Sequence, residues 1–578
     1  MTIPGGSQNT PPKKKQKQKK PRKIDSLPLE FFHDPRRKKA ELARQKYIGR
    51  ALDEVMFHLI LEEEKERGGF FTYAQDGFLY HFNGETHRLN HIGDAKQIDM
   101  EFTAHLTKHY GLIRSEQITR HIVDQIDAYT RSEGLSGERP DVKRFAFYDR
   151  RAKILYISGY NGTCYKLNGD TVEVIPNGKE VLFVDDDKGV PVENPEIEDH
   201  GILSKTIIED LQYTQATAGG LSPEDQKTLF TIWTFAIAFG ELLPGACPIL
   251  LLEGEKGSGK SFSAKRVQLL ALGREKVQII GKGGHGDDFG VTLLRSPIAL
   301  LDNLDSHIDW FSDAVAAYTT GGEWSRRKLY TDSDEISIKP RSFIIATTRN
   351  ARAFQRDDVA DRCIILRLDR RTGKDGYKLE DALLEDMRDN RPKLFGEWLF
   401  KLNKIVKRLS EVNGEQSQIR VSHRLSDFAN LSRNIGEAIG LDPNKVSHAL
   451  NSAQSEREEL TVEDDPLVPL IDYWLSVEDG RNAGTWVTAN ELHSALSFMS
   501  FSAGIEYTYA KPSSLGNRLR NVGSAFQRYF QVEAKPGSKN NAKVYRFSRN
   551  TPVVPTINLE ELKNERPLGI TVLHTRTD

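Results

Sequence analysis

One stretch restricts this chain more than any other: PILLLEGEKGSGKSFSAKRVQLLAL, residues 248–272. An apolar run passes into a loop with three glycines, and a helix-forming segment follows. Glycine takes backbone angles that side chains resist, and it lets N–H groups come close to an anion. The spacing Gly254-x-x-x-x-Gly259-Lys260-Ser261 is that of a phosphate-binding loop, with the strand before and the helix after that such a loop requires. A glycine-rich surface turn is the plainer reading, but it would not explain those flanks. Gly254, Glu255, Lys256, Gly257, Ser258, Gly259, Lys260, Ser261 and Phe262 are therefore expected to surround a nucleotide, ATP with Mg²⁺. Lys260 would reach the β and γ phosphates and Ser261 would offer its hydroxyl to Mg²⁺. The helix beginning there would add its positive dipole end.

Such a loop needs an acid at the end of a neighbouring apolar strand. SPIALLDNLDS supplies it, with Ile298–Leu301 apolar and Asp302 closing the run. Asp302 would hold the Mg²⁺ shell as in a Walker B motif. A second acid often follows directly; here that residue is Asn303, which could position water but is a poor base. Asp305 is the nearest acid downstream and an alternative. A third apolar run, SFIIATTRN, ends in Thr347, Thr348 and Asn350, candidates to touch the γ-phosphate or the attacking water. Ordinary strand-end hydrogen bonding is the other reading of these three. In RDDVADRCIILRL, Arg362 precedes a fourth apolar run, Cys363–Leu366. Its charge must be paired wherever it is buried. In a ring it would stabilise transition-state charge on a neighbour's nucleotide. Arg356 is the runner-up, and a salt bridge to Asp358 or Asp361 is the structural alternative for either.

In this order GEKGSGKS, ALLDNLDS, GGEWSRRKLYTDSDEISIKPRSFIIATTRN, DVADR and HRLSDFANL resemble the AAA+ superfamily. Within it they are similar to the superfamily 3 helicases, and closest to the primase-helicase-type ATPases of phages, prophages and mobile elements. The resemblance spans about 230–440. It implies ATP hydrolysis coupled to DNA translocation by a homo-oligomer, a hexamer, acting in DNA replication. It also implies a β-hairpin that enters the ring channel and grips single-stranded DNA. LYTDSDEISI would form that hairpin, with a turn at Asp332–Glu335, Arg326, Arg327 and Lys328 beside it, and Lys339 and Arg341 on the far arm. Basic side chains suit a phosphate track that needs charge but no base readout. A solvated surface hairpin is the other reading.

The rest of the chain divides by pattern. Residues 1–30 form a basic tail (PPKKKQKQKKPRK), a solvated segment or a non-specific phosphate-binding arm. Residues 31–200 suggest an α+β N-terminal domain: a helix over 36–66, hairpins, a helical stretch near 99–133, then a second β-rich run. It carries no primase signature, since paired metal carboxylates with a following His and zinc-binding cysteines are both missing. The run Asp185–Asp187 reads as a solvated turn rather than a metal site. Residues 203–375 alternate helices with apolar runs, the pattern of a parallel α/β P-loop core. A helical subdomain follows at 376–460, then a winged helix at 466–550 and a tail at 551–578. In the winged helix, Thr488 with Glu491 would cap one helix. The next helix would present Arg518 to a major groove, and a wing with Lys535, Lys539 and Lys543 would touch duplex backbone.

Three widely spaced cysteines, Cys164, Cys247 and Cys363, fit a reducing cytosol. No apolar run approaches the roughly 20 residues that span a bilayer, and the basic N-terminus lacks the apolar core of a secretory signal. A cytoplasmic location without membrane contact is expected. Net charge is −1, so any nucleic-acid surface must be local. The alternative to a motor is an ATP-dependent DNA-binding switch or assembly ATPase that does not unwind, such as a helicase loader, a transposition regulator or an anti-phage defence component. A small-molecule phosphotransferase fits poorly with the extra DNA-like module.

Overall fold

The computed structural model describes residues 34–549 except 95–96, 135–138, 186–188, 216, 218, 245–246, 279–288, 291–292, 294–295, 306–307, 320–323, 328–334, 339–341, 371–379, 413–424, 463–464, 478–481, 522–525, 527–528 and 537–542. Packing divides the described chain into two compact units. The first holds the residues up to Lys143 with Asn161–Thr163 and Pro176–Asp185; the second holds the remainder.

In the first unit, helix α1 (Pro35–Lys46) and helix α2 (Arg50–Glu66) replace the single helix expected over 36–66. Gly49 separates them at φ +56, outside the helical region. Strands β1 (Phe70–Tyr73), β2 (Leu79–Asn83) and β3 (Arg88–His91) form an antiparallel sheet in that order. Helix α3 (Met100–Tyr110) starts on an Asp99 side-chain cap and stops at Gly111, φ +69, before α4 (Gln117–Gly134). Met56, Ile60, Leu79, Phe102, Leu106 and Ile122 fill the space between sheet and helices.

The second β-rich run does not belong with these elements. Its strands β4 (Ala146–Asp149), β5 (Ile154–Ser158), β6 (Thr163–Leu167) and β7 (Val172–Pro176) form a meander. Leu155, Ile157 and Leu167 are buried in the core of the second unit. Tyr148 meets Phe239 edge-on at 5.5 Å between ring centroids, and Tyr165 meets Phe395 in the same way. Residues 31–200 are thus shared between the two compact units, a division that local pattern does not reveal.

The centre of the second unit is a five-stranded parallel sheet. Helix α5 (Pro223–Ala236) precedes β8 (Ile249–Gly254), α6 (Lys260–Leu272), β9 (Val277–Gln278) and β10 (Ile298–Leu301). Helix α7 (Asp309–Thr319) and a hairpin of β11 (Trp324–Arg327) and β12 (Glu335–Ile338) lead to β13 (Phe343–Thr348) and β14 (Cys363–Leu368). The strand order is β9–β10–β13–β8–β14, all parallel. Side chains alternate faces along each strand. Leu250, Leu252, Leu300, Ile345 and Ile364 join one cluster, and Leu251, Leu301, Ala346 and Ile365 join the other. Both faces are thus covered, which is why these strands read as unbroken apolar runs.

Helices α8 (Glu380–Asp389), α9 (Arg391–Glu411), α10 (Ser426–Ile439) and α11 (Pro443–Val462) make up the helical segment. Its link to the sheet is partly ionic. Arg367 on β14 pairs with Glu253 at 2.9 Å and with Glu456 of α11, and Glu456 is fully buried. Glu456 also accepts the Gly219 N–H at 2.8 Å. Removing one member of a buried ion pair costs about 3–5 kcal/mol. Glu456→Ala is therefore expected to lose roughly that much in a denaturant unfolding experiment, and an unchanged midpoint would show the pair to be dispensable.

The C-terminal elements are α12 (Leu467–Ser476), β15 (Trp486–Thr488), α13 (Ala489–Ala503), α14 (Pro512–Asn521), β16 (Phe530–Pro536) and β17 (Lys543–Arg549). The sheet order is β15–β17–β16, and the short strand Trp486–Thr488 adds to the two strands expected for the wing. Thr488 and Glu491 form a reciprocal capping box at the start of α13. Leu515, Leu519 and Phe526 are buried against Leu470, Trp474 and Phe547. Among the described residues, no helix is long and apolar enough to cross a membrane.

Candidate functional site

Parallel strands share one carboxyl edge, where open α/β sheets place their ligands. On this edge β13 lies between β8 and β10, with Thr348 in register with Glu253 and Ala346 in register with Leu301. The polar tip of β13 therefore lies between the ends of β8 and β10.

The loop is built for close approach. Gly257 and Gly259 have φ of +89 and +85, where other residues are strained. A Cβ on Gly254 would lie 2.3 Å from the Leu368 carbonyl oxygen and 2.8 Å from Ser258 Oγ. Ser258 is buried and its Oγ has no hydrogen-bond partner. Helix α6 starts at Lys260 with Gly259 as its cap, so no side chain satisfies its first amides. These unpaired donors and this space suit a phosphate group. Glu255 and Lys256 are exposed on the loop, and Arg266 lies 4.0 Å above the Phe262 ring.

Lys260 is buried and its Nζ donates to the Glu255 carbonyl at 3.2 Å. Burial lowers its pKa; the charges of Asp305 and Asp302 oppose that effect and Arg349 adds to it. Ser261 Oγ donates to Asp302 Oδ1 at 2.6 Å, and the Thr347 hydroxyl donates to the same oxygen. A hydroxyl beside a carboxylate is a hard oxygen donor set of the kind Mg²⁺ takes. The residues present thus fit a nucleotide phosphate with Mg²⁺.

The other candidates sort by geometry. Asn303 is exposed and sits at φ +63, a left-handed conformation that Asn tolerates better than most residues. Its N–H donates to Thr347 Oγ1 at 3.1 Å, so it makes the turn that keeps Asp302 and Asp305 together on the edge. Asp305 accepts the Arg349 N–H at Oδ1 and the Arg349 Nε–H at Oδ2, both at 2.6 Å. Burial pushes its pKa up, but Arg349 and Thr348 outweigh this and hold the carboxyl below its usual range, which makes it a weak base. Thr348 Oγ1 lies 3.0 Å from the Leu304 carbonyl and 2.6 Å from that of Asn350. Thr348 and Asn350 thus brace the strand end, whereas Thr347 reaches Asp302. Arg349 escapes a reading of the sequence; the signal available is a lone cation at the tip of an otherwise neutral strand end.

Arg362 is buried, and its Nη1 donates to the Ala316 carbonyl of the same chain at 2.9 Å. That placement does not suit the outward reach expected of it. Arg356 has a side chain 42% exposed, bound to Asp358 through Nε at 2.6 Å and also to Asp313. Those hydrogen bonds raise its pKa.

In the hairpin Arg326 and Arg327 lie within strand β11, paired with Ile336 and Glu335. Glu335 is thus a strand residue rather than part of the turn. Pairing runs from Trp324 opposite Ile338 to Arg327 opposite Glu335. Lys328, Lys339 and Lys539 fall outside the described residues. Arg518 does not face a groove: its Nε pairs with the buried Asp465 at 2.9 Å, and it also donates to the Thr461 carbonyl. Asn517 and Arg520 of α14 are exposed, as are Ser513 and Ser514 in its first turn. Lys535 of β16 lies 3.9 Å over the Trp486 ring, and Lys535 and Lys543 are exposed.

Residues 225–454, from α5 into α11, match the family model of an Actinomycete integrative conjugative element replication protein. No curated protein matches the chain. Among solved structures, it is similar to one described as the A form apo structure of NrS-1 C terminal region-CTR, at 9% identity over 85% of this chain and 99% of that one, with a TM-score of 0.38. It is also similar to one described as SCCmec type IV Cch - active helicase, at 12% identity over 82% and 91%, with a TM-score of 0.42.

Proposed function

We propose that this chain is an ATP-driven DNA helicase or translocase that assembles as a hexameric ring and serves the replication of a mobile element in the cytoplasm. The observation that carries this reading is the 2.6 Å contact of Ser261 with Asp302, beside the buried Lys260. It falls in the segment similar to replication proteins of integrative conjugative elements. Lys260 and the first amides of α6 bind and orient the ATP phosphates. Ser261 and Asp302 would hold Mg²⁺, which would supply positive charge against the phosphates. Thr347 orients Asp302, and Arg349 holds Asp305 beside them. Phosphoryl transfer of this kind depends more on positioning and charge than on a strong base, so a weak base here is no obstacle.

Strand separation on forked DNA tests the proposal directly. ATP-dependent separation by the wild type, absent from Lys260→Ala, is expected; a wild type without DNA-stimulated hydrolysis would overturn it. The non-unwinding switch draws on one observation, the inward engagement of Arg362. Charge reversal at Arg326 to Lys328 separates the two readings. Unwinding abolished with hydrolysis retained supports the motor, and an unaffected function supports the switch.

The C-terminal elements are assigned to duplex DNA as a winged helix, with Asn517, Arg520, Lys535 and Lys543 in place of Arg518. Removing one phosphate-binding cation lowers the slope of log affinity against log salt by about one. Arg520→Ala is expected to weaken DNA binding with an unchanged melting temperature, and Arg518→Ala to lower the melting temperature first. The reverse pattern in a salt titration and a melting curve would put the DNA face elsewhere.

A further inference from the structure

We propose that Glu64, His81 and His105 form a structural zinc site inside the N-terminal unit. The three residues come from α2, β2 and α3, and their ligand atoms all lie within 4.8 Å of one another. Glu64 and His81 are 2% and 1% exposed, and the His105 side chain is 11% exposed. Both imidazoles aim Nε2 at one carboxylate: His81 stands 2.8 Å from Glu64 Oε2 and His105 stands 2.9 Å from Oε1. The Tyr110 hydroxyl, 2.8 Å from Oε1, offers a further oxygen.

Zinc ligands lie about 2.0–2.2 Å from the metal, so tetrahedral ligand atoms stand about 3.3 Å apart. The contacts here are a few tenths of an ångström shorter, so an ion enters by displacing the imidazole protons with a small outward shift. Two imidazoles and a carboxylate favour zinc over Ca²⁺ or Mg²⁺, which take all-oxygen shells. The burial suits a closed structural site rather than an open catalytic one.

Two neighbours bear on the ion. Asn83 Oδ1 accepts the Glu85 and Thr86 N–H groups at 3.0 Å, which turns its amide nitrogen toward His105 Nδ1 at 3.4 Å. Without metal the His105 proton is therefore on Nε2. Metal binding moves it to Nδ1 and gives up a contact too long to be worth much. Arg36 would repel a cation, but its guanidinium is paired with Asp34 at 3.1 Å and Glu85 at 3.2 Å.

Such an ion would tie two helices to the sheet and so add its binding free energy to the stability of this unit. The site leaves no local motif, because its ligands are separated by 17 and 24 positions along the chain.

The test uses the full chain without an affinity tag, expressed with zinc and dialysed against metal-free buffer. Elemental analysis is expected to find about one zinc per chain, and below about 0.1 in His81→Ala and His105→Ala. To guard against a folding defect in those variants, the wild type is also stripped with a chelator. Its melting temperature is expected to fall, and to recover with Zn²⁺ but not Mg²⁺. Co²⁺ added to the stripped protein is expected to give the visible absorption of a four-coordinate nitrogen and oxygen site. A zinc-free wild type whose melting is indifferent to Zn²⁺, or zinc retained undiminished in both variants, overturns the proposal and leaves a hydrogen-bonded carboxylate only.

Discussion

Lys260→Ala is expected to hydrolyse ATP about 10²–10³-fold more slowly than the wild type in steady-state phosphate release, with its fold intact. The magnitude follows from removing one preorganised positive group aimed at developing charge, worth about 2.7–4 kcal/mol in a water-poor site. Lys260 is such a group: it is buried, and it lies in the fields of Asp302 and Asp305. The fold is expected to survive because its hydrogen bond, to the Glu255 carbonyl, is long at 3.2 Å. Alanine also removes an ammonium that burial already disfavours. Ser261 and Asp302 stay in place, so nucleotide affinity is expected to fall less than turnover. A variant that hydrolyses ATP at the wild-type rate would show that GEKGSGKS is not the hydrolytic site, whatever else it binds.

Fold and site are legible in the sequence to different depths. The parallel sheet can be read because its strands are buried on both faces and so appear as unbroken apolar runs. The glycine loop can be read because three backbone positions demand glycine within six residues. Asp302 follows from its place at a strand end. What escapes is set by distant contacts. Helix α2 is separated from α1 by Tyr47, Ile48 and Gly49, and the positive φ of Gly49 is not written in any periodicity. The meander β4–β7 looks like part of the N-terminal domain, yet Phe145 stacks on Trp398, some 250 positions away along the chain. Arg518 occupies the expected recognition helix, but helical spacing does not say which arginine finds a buried acid. Asp465 takes Arg518 and leaves Arg520 outside. Asn303 looks like a deficient base, and its left-handed φ shows a backbone reason for the residue that no motif records.

The same contrast separates Arg356 from Arg362 and leads to the second large effect. Arg356→Ala is expected to cost about 10³-fold or more in hydrolysis by the assembled protein, the scale on which an arginine acts when it stabilises a neighbour's transferring phosphate. Its stability cost is expected to be small, because exposed ion pairs contribute about 0–1 kcal/mol and its partners Asp313 and Asp358 stay solvated. Arg362→Ala is expected to behave in the opposite way. It removes a buried, charge-assisted hydrogen bond to Ala316, about 1.5–3 kcal/mol, and so lowers the melting temperature while turnover per folded chain changes little. A mixing experiment then asks whether Arg356 acts across subunits. Lys260→Ala keeps Arg356 but has a disabled site, and Arg356→Ala keeps the site but lacks the arginine. In a mixed ring some intact sites face an intact arginine, so hydrolysis is expected to rise well above that of either variant alone. No recovery on mixing, with assembly verified by sedimentation, would confine the role of Arg356 to its own chain. Wild-type turnover in Arg356→Ala would remove it from the chemistry and return the question to Arg349, an exposed cation at the tip of β13.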